Sequence, residues 1–340
     1  MIINKKIVLV LISVFTLVSC NKDIIRTSSK ISSSLNESSQ TLSSSQSEDN
    51  VSSTSYKGRD DSLNSSTSSN VVSSTSSINS NTSSQSISSS VSTSSSSSLI
   101  SYYSNVNLNL TGAELKTELF NKISSHKSLG YSGVTGTGVY AKTDVKEDGT
   151  IWDIYSNTTS YKPSDLAGNY KKEGDCYNRE HTIPQSVFSK KEPMRSDVHH
   201  LFPTDGYVNN RRGNYPHAEV GSVSYSSNNN FTIVGESSTS GVTGTVCEPN
   251  DLYKGDIART YFYFVTCYQD KLSSFGSFAA FSNNTYPSLS NWAIKLYLKW
   301  AKEDPVSEKE IKRNEAIYQI QGNRNPFIDY PELAEKVWNS

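Results

Sequence analysis

At 340 residues the chain has room for one or two domains. Its 34% hydrophobic content and mean hydropathy of −0.53 are low for that length, so part of it cannot join a core. Lysine and arginine number 32 against 33 aspartates and glutamates. That balance excludes a strongly basic field as the means of gathering nucleic acid, and leaves phosphate binding to a local site.

The N-terminus reads as an export signal. Lys5 and Lys6 precede an apolar run over residues 7–18, interrupted only by Ser13 and Thr16. The run falls short of the roughly 20 apolar residues that a membrane span needs. Leu17, Val18, Ser19 and Cys20 resemble a bacterial lipoprotein signal, which is cut before a cysteine that is then lipidated. The expectation is a signal peptide over residues 1–19, with Cys20 as the lipidated mature N-terminus on the outer face of the cell membrane.

Residues 28–101 are roughly half serine, with asparagine and threonine filling much of the rest. Such a stretch buries too little apolar surface to offset its conformational entropy, so a disordered tether over residues 20–101 is expected. A flexible chain of this size spans about 45–50 Å. A Ser-rich adhesive stalk on a non-enzymatic surface protein is the alternative reading of this third.

The folded part is placed at residues 102–340. Thr111 to Glu114 form a capping-box pattern ahead of Leu115, Leu119 and Ile123 on one helical face, with Gly130 as the stop. Residues 150–156 alternate as a strand would. Ile257, Tyr261, Phe264, Val265 and Tyr268 make one helical stripe, and Leu289, Trp292, Ala293, Leu296 and Trp300 a second, ended by Pro305. Ser307 and Glu310 form another capping box, with Gly322 closing that helix. The fold class is α+β: small antiparallel strands surrounded by helices in a single domain. Cys176, Cys247 and Cys267 form no C-x-x-C pair, which argues against a structural zinc site, while one disulfide or three free thiols both remain open.

Chemistry concentrates between residues 176 and 220, which hold four of the five histidines. Glu180 and His181 are adjacent, so on a strand they would face opposite ways and could share a site only at its end; Pro184 suits such an end. A carboxylate there binds a hard cation, and a neutral imidazole takes a proton from water near pH 7. Asn209 offers a neutral oxygen ligand. One carboxylate with one amide leaves most positions to water and substrate, as Mg²⁺ tolerates. Arg211 and Arg212 supply forked donors for phosphate oxygens. A metalloprotease is disfavoured by the absence of H-E-x-x-H.

NREHTIPQS from Asn178, SDVHHLFPTDGYVNNRRGN from Ser196, KGDIAR from Lys254 and QGNRNPF from Gln321 together resemble the endonuclease I family, in order and over most of the chain after about residue 110. The resemblance implies a ββα-metal (His-Me finger) core and secreted or periplasmic nucleases that cut DNA and often RNA with little sequence preference, leaving 5′-phosphates. It makes His181 the general base and Glu180 and Asn209 the ligands of Mg²⁺ or another divalent ion such as Ca²⁺ or Mn²⁺. Arg212 becomes a catalytic phosphate contact, and His199 and His200 become scaffold. DNA or RNA is the implied partner, with the membrane reached through Cys20 and no protein partner.

Overall fold

The computed structural model describes Leu99 and residues 101–135 and 138–339, all within one compact unit. The expected signal, Cys20 and the Ser-rich tether lie outside the described residues. Among these residues no helix is long and apolar enough to cross a membrane.

Helix α1 (Gly112–Ile123) buries Leu115, Leu119 and Ile123, as its spacing requires. Its expected capping box does not form, because the Thr111 side chain makes no cap hydrogen bond. Gly130 does not end α1, which stops at Ile123; it opens α2 (Gly130–Thr135) with φ of +64°. Helix α3 (Tyr140–Thr143) follows. The strand expected over residues 150–156 is reduced to one bridge, Ile151 to Val145. Asp153 explains the loss. Its Oδ1 accepts from the Tyr155 and Ser156 amides and the Thr204 hydroxyl, and its Oδ2 from Thr159 and the Asp205 amide. A carboxylate that captures neighbouring amides competes with a ladder.

Strands β1 (Tyr177–His181) and β2 (Leu201–Asp205) pair antiparallel, with Glu180 opposite Phe202 and His181 opposite Leu201. Helix α4 (Gly206–Arg212) follows β2 without a loop, capped by Asp205, whose side chain accepts from the Val208 amide at 2.9 Å. A second sheet, β3 (Val220–Ser226), β4 (Ile233–Ser237) and β5 (Thr245–Glu248), is antiparallel in that order.

The core is organised by α5 (Asp251–Cys267), which is buried from Gly255 to Cys267 on every face rather than along one stripe. Helix α6 (Asn291–Glu303) lays Trp292, Leu296 and Trp300 on the core. Helix α7 (Glu308–Gln321) carries the expected capping box between Ser307 and Glu310 and ends at Gly322 with φ of +85°. Arg259 of α5 clamps α7 through a two-pronged pair with Glu310, at 2.6 and 2.8 Å. Short helices α8 (Pro326–Asp329) and α9 (Leu333–Trp338) complete the shell. Mixed helix and small sheets bear out the α+β reading. The three cysteines are free and buried.

Lys116 departs from the expected pattern: it is fully buried in α1, its ammonium donating to Gln269 Oε1 and the Thr285 carbonyl. Burial pushes its pKa down to about 7. The unfolded chain therefore holds a proton that native Lys116 has released between about pH 7 and its ordinary value near 10.4, and stability rises with pH across that window. Denaturant titrations from pH 7 to 9 should give the wild type a slope steeper than that of Lys116→Met by up to about 1.4 kcal/mol per pH unit. Parallel slopes would show that Lys116 stays charged.

Candidate active site

The end of β1, the start of the following loop and α4 enclose an open cleft of about 300 Å³, lined among others by Arg179, Glu180, His181, Lys190, Asn209 and Arg212. Larger hollows lie elsewhere, against Lys295 and Leu298 of α6 and against Ile311 and Glu315 of α7. They lack the cleft's combination of carboxylate, imidazole and amide.

His181 ends β1, and its ring is mostly buried. Nε2 lies 3.0 Å from the Arg195 carbonyl. A carbonyl only accepts, so Nε2 carries the proton and Nδ1 keeps the lone pair. Burial first, then His200, Arg179 and Arg195, pushes the imidazole pKa down to about 3 despite the carbonyl. The ring is thus neutral and proton-accepting throughout the ordinary pH range. It is held between Tyr131, His200 and Phe188, with ring centroids 6.4, 5.6 and 6.4 Å away.

Glu180 is also buried. Its Oε1 meets Arg212 Nη1 at 2.6 Å and accepts from the Tyr155 hydroxyl at 2.8 Å. Behind it runs a chain of polar groups. The His217 Nε2–H donates to the Tyr155 oxygen at 2.6 Å, and the Tyr261 hydroxyl donates to His217 Nδ1 at 3.1 Å. Burial, then Arg212, keeps His217 neutral by lowering its pKa far below the usual range. Burial raises the Glu180 carboxyl, while Arg212 and Tyr155 pull it back. Among the described residues no hydrogen bond reaches Oε2, so one carboxylate oxygen is held and the other left for a ligand.

Asn209, one helical turn before Arg212, donates its amide nitrogen to Asn178 Oδ1 at 2.7 Å and the Arg179 carbonyl at 3.3 Å. Two acceptors fix which end of the amide is nitrogen, so its oxygen is the end left over. The structure therefore brings Glu180, His181 and Asn209 to one cleft. Asn178, Tyr155, His217 and Tyr261 support them and went unassigned in the sequence. His217 carried a signal there as one of the clustered histidines, and Asn178 as the first residue of the NREHTIPQS block.

Arg212 is placed otherwise than a free phosphate hook would be. Its guanidinium is buried, with Nη1 donating to the His181 carbonyl at 3.0 Å as well as to Glu180, and Nη2 to the Thr182 carbonyl at 2.6 Å. Arg211 turns outward over Tyr207 and Tyr225. His199 and His200 are buried scaffold, bound to the Asn323 and Met194 carbonyls.

A separate group, His126, Asp197 and Cys267, has donor atoms within 4.8 Å of one another. Asp197 is already saturated: Oδ1 accepts from the His199 amide and Gln321, and Oδ2 from the Tyr263 and Tyr268 hydroxyls. With four hydrogen bonds on one carboxylate, little lone-pair capacity is left for an ion. This cluster is a polar core, stapled by the Gln321 and Asn323 motif.

The family model for Endonuclease I matches residues 111–332. The chain belongs to the endonuclease I family. It is 34% identical over 233 residues to the extracellular ribonuclease of Bacillus subtilis, covering 67% of this chain and 75% of that protein. It is 29% identical over 141 residues to Endonuclease-1 of Buchnera aphidicola, covering 40% and 47%. An extracellular deoxyribonuclease of Aeromonas hydrophila is 29% identical over 136 residues, covering 40% and 50%. The cleft lies inside the stretch that the endonuclease I model matches.

These contacts separate two roles for Arg212. Arg212→Ala should lower unfolding stability by about 3–5 kcal/mol, because Glu180 is left buried without its partner. Arg212→Lys should restore little, since one ammonium cannot replace a fork that serves a carboxylate and two carbonyls. Denaturant unfolding checks both. A change in KM alone, with stability intact, would return Arg212 to the phosphate-hook role.

Proposed function

We propose that this endonuclease I family member is an extracellular, divalent-metal-dependent endonuclease that hydrolyses phosphodiester bonds of DNA, RNA or both with little sequence specificity, leaving 5′-phosphates. The observation that carries the reading is the locked tautomer of His181: Nε2 is spent on the Arg195 carbonyl, so the basic Nδ1 is left in the cleft that Glu180 and Asn209 line. Support for the substrate class comes from the relatives, an extracellular ribonuclease and an extracellular deoxyribonuclease. The ribonuclease shares the longer stretch, so RNA belongs beside DNA in any assay.

In this mechanism His181 Nδ1 takes a proton from water, whose oxygen attacks phosphorus while the bond to O3′ breaks and O3′ takes a proton from solvent. The products carry a 5′-phosphate and a 3′-hydroxyl. The β1–β2–α4 arrangement is the ββα-metal element of the family in this reading. Glu180 Oε2 and the Asn209 amide oxygen suit a hard divalent ion such as Mg²⁺, being oxygen donors of which only one is charged. When bound, the ion supplies charge neutralisation for the phosphate and the departing oxygen. Asn178 and the Arg179 carbonyl keep the Asn209 oxygen facing the site, and Tyr155 and Arg212 fix the Glu180 carboxylate. Arg212 acts here as a positioning residue.

His181→Ala should lower cleavage of plasmid DNA and RNA by about 10²–10⁴-fold while the protein still folds, and EDTA should abolish wild-type cleavage. Near-normal turnover in a folded His181→Ala protein would sink the base assignment. Intact nucleic acid in every metal-containing lane would shift the reading to a surface-binding protein.

The localisation half of the reading rests on residues 1–20. Two acyl chains on Cys20 would supply stable anchoring, at about 0.8 kcal/mol per buried CH₂. Labelled fatty acid should enter the wild type and be absent from Cys20→Ala; equal labelling of both would remove the anchor.

A further inference from the structure

The loop between β1 and β2 does more than hold the base. It is wound by successive turns: the Val187 amide bonds to the Pro184 carbonyl, Lys190 to Gln185, Lys191 to Phe188 and Arg195 to Lys191. Buried Val187 and Phe188 pin it to the core, and the Gly276 amide donates to the Val187 carbonyl. Arg195, at the far end, offers the carbonyl that sets the His181 tautomer. At the turn of this loop Ser189 and Lys190 are both left-handed, with φ of 55° and 57°. Neither is glycine, and side chains other than glycine adopt that region at a steric penalty. The conformation brings Lys190, an exposed side chain, to the rim of the cleft that Glu180, His181 and Asn209 line. Among the described residues its ammonium has no ion-pair or hydrogen-bond partner.

Arg212 is consumed by Glu180 and two carbonyls. Arg195 lies over Tyr131 at 3.7 Å, with its Nε on Gln185. Lys190 has no such engagement. We propose that Lys190 is the substrate-holding cation of this site, taking a non-bridging oxygen of a phosphate that flanks the scissile one. The inference rests on the nuclease reading for its substrate class. Its rim position, apart from the buried base, makes it a binding contact rather than a part of the chemistry. The left-handed pair is the strain accepted to aim it.

The experiment uses the full chain with Lys190→Ala, Lys190→Gly, Lys190→Arg and Ser189→Gly. Steady-state cleavage should show KM raised about tenfold in Lys190→Ala, with kcat within about twofold, since uniform binding is lost. Lys190→Arg should return KM close to wild type. Lys190→Gly should match the alanine variant in KM without melting below wild type, because glycine relieves the left-handed strain. Ser189→Gly should relieve strain and leave KM unmoved. The same substitutions in a His181→Ala background, titrated with a labelled single-stranded oligonucleotide by anisotropy, read binding without cleavage. There Lys190→Ala should weaken binding and flatten its salt dependence by about one counterion.

An unchanged KM and oligonucleotide affinity in Lys190→Ala, or an equal KM rise in Ser189→Gly, overturns the proposal. Oligonucleotide binding that depends on Lys190 in a wild type that cleaves nothing leaves it standing while the nuclease reading falls. No oligonucleotide binding at all overturns both.

Discussion

The buried pair between Glu180 and Arg212 is the constraint on which the site depends. Removing two charges from water is expensive, and one contact at 2.6 Å repays that only if the remaining polar atoms are also satisfied. Here most are. Arg212 adds two carbonyls at the end of β1, and Glu180 adds the Tyr155 hydroxyl, itself backed by His217 and Tyr261. The pair therefore sews α4 to the strand end that carries His181. Asn209 precedes Arg212 by three residues and so shares its side of the helix. Once Arg212 is seated, Asn209 has little choice but to face the same cleft, and Asn178 settles which end of its amide points in.

Adjacent residues on a strand normally part ways, one to each face. Glu180 and His181 escape this because β1 ends at His181 and the backbone turns toward Pro184. The carboxylate goes under α4, and the imidazole goes under the loop that returns through Arg195. Burial of that imidazole has two opposed effects. Being neutral, it is always ready to accept a proton; with a pKa near 3 it is a weak base in the free protein. The groups that depress it are its buried surroundings first, then His200 and the positive charges of Arg179 and Arg195.

Much of this was legible beforehand, for identifiable reasons. Helical periodicity placed α1, α5 and α6, because long apolar stripes leave few alternatives, and end signals at Ser307 and Gly322 placed α7. The box at Ser307 formed because Glu310 could reach back to it. The one at Thr111 did not, although the letters are equally suitable. Residues 150–156 alternate like a strand, yet Asp153 draws the local amides to itself, a competition that periodicity does not register. Arg212 is the instructive case. The sequence places an arginine beside a proposed ligand, and an exposed hook is the natural reading. Only the packing shows that Glu180 requires a buried counter-charge and that this arginine is the one in reach.

Net charge near zero then ceases to be an objection to a phosphate-handling site. Sequence-independent affinity needs cations where the strand passes, not over the whole surface. At the cleft the positive groups are Arg179 and Arg195 beside His181, Lys190 at the rim, and Arg212 buried beneath. Base identity is read by donors and acceptors aimed at base edges, whereas ammonium and guanidinium groups gathered round a carboxylate and an amide address phosphate oxygens. The cleft that holds these groups is open and has a volume of about 300 Å³.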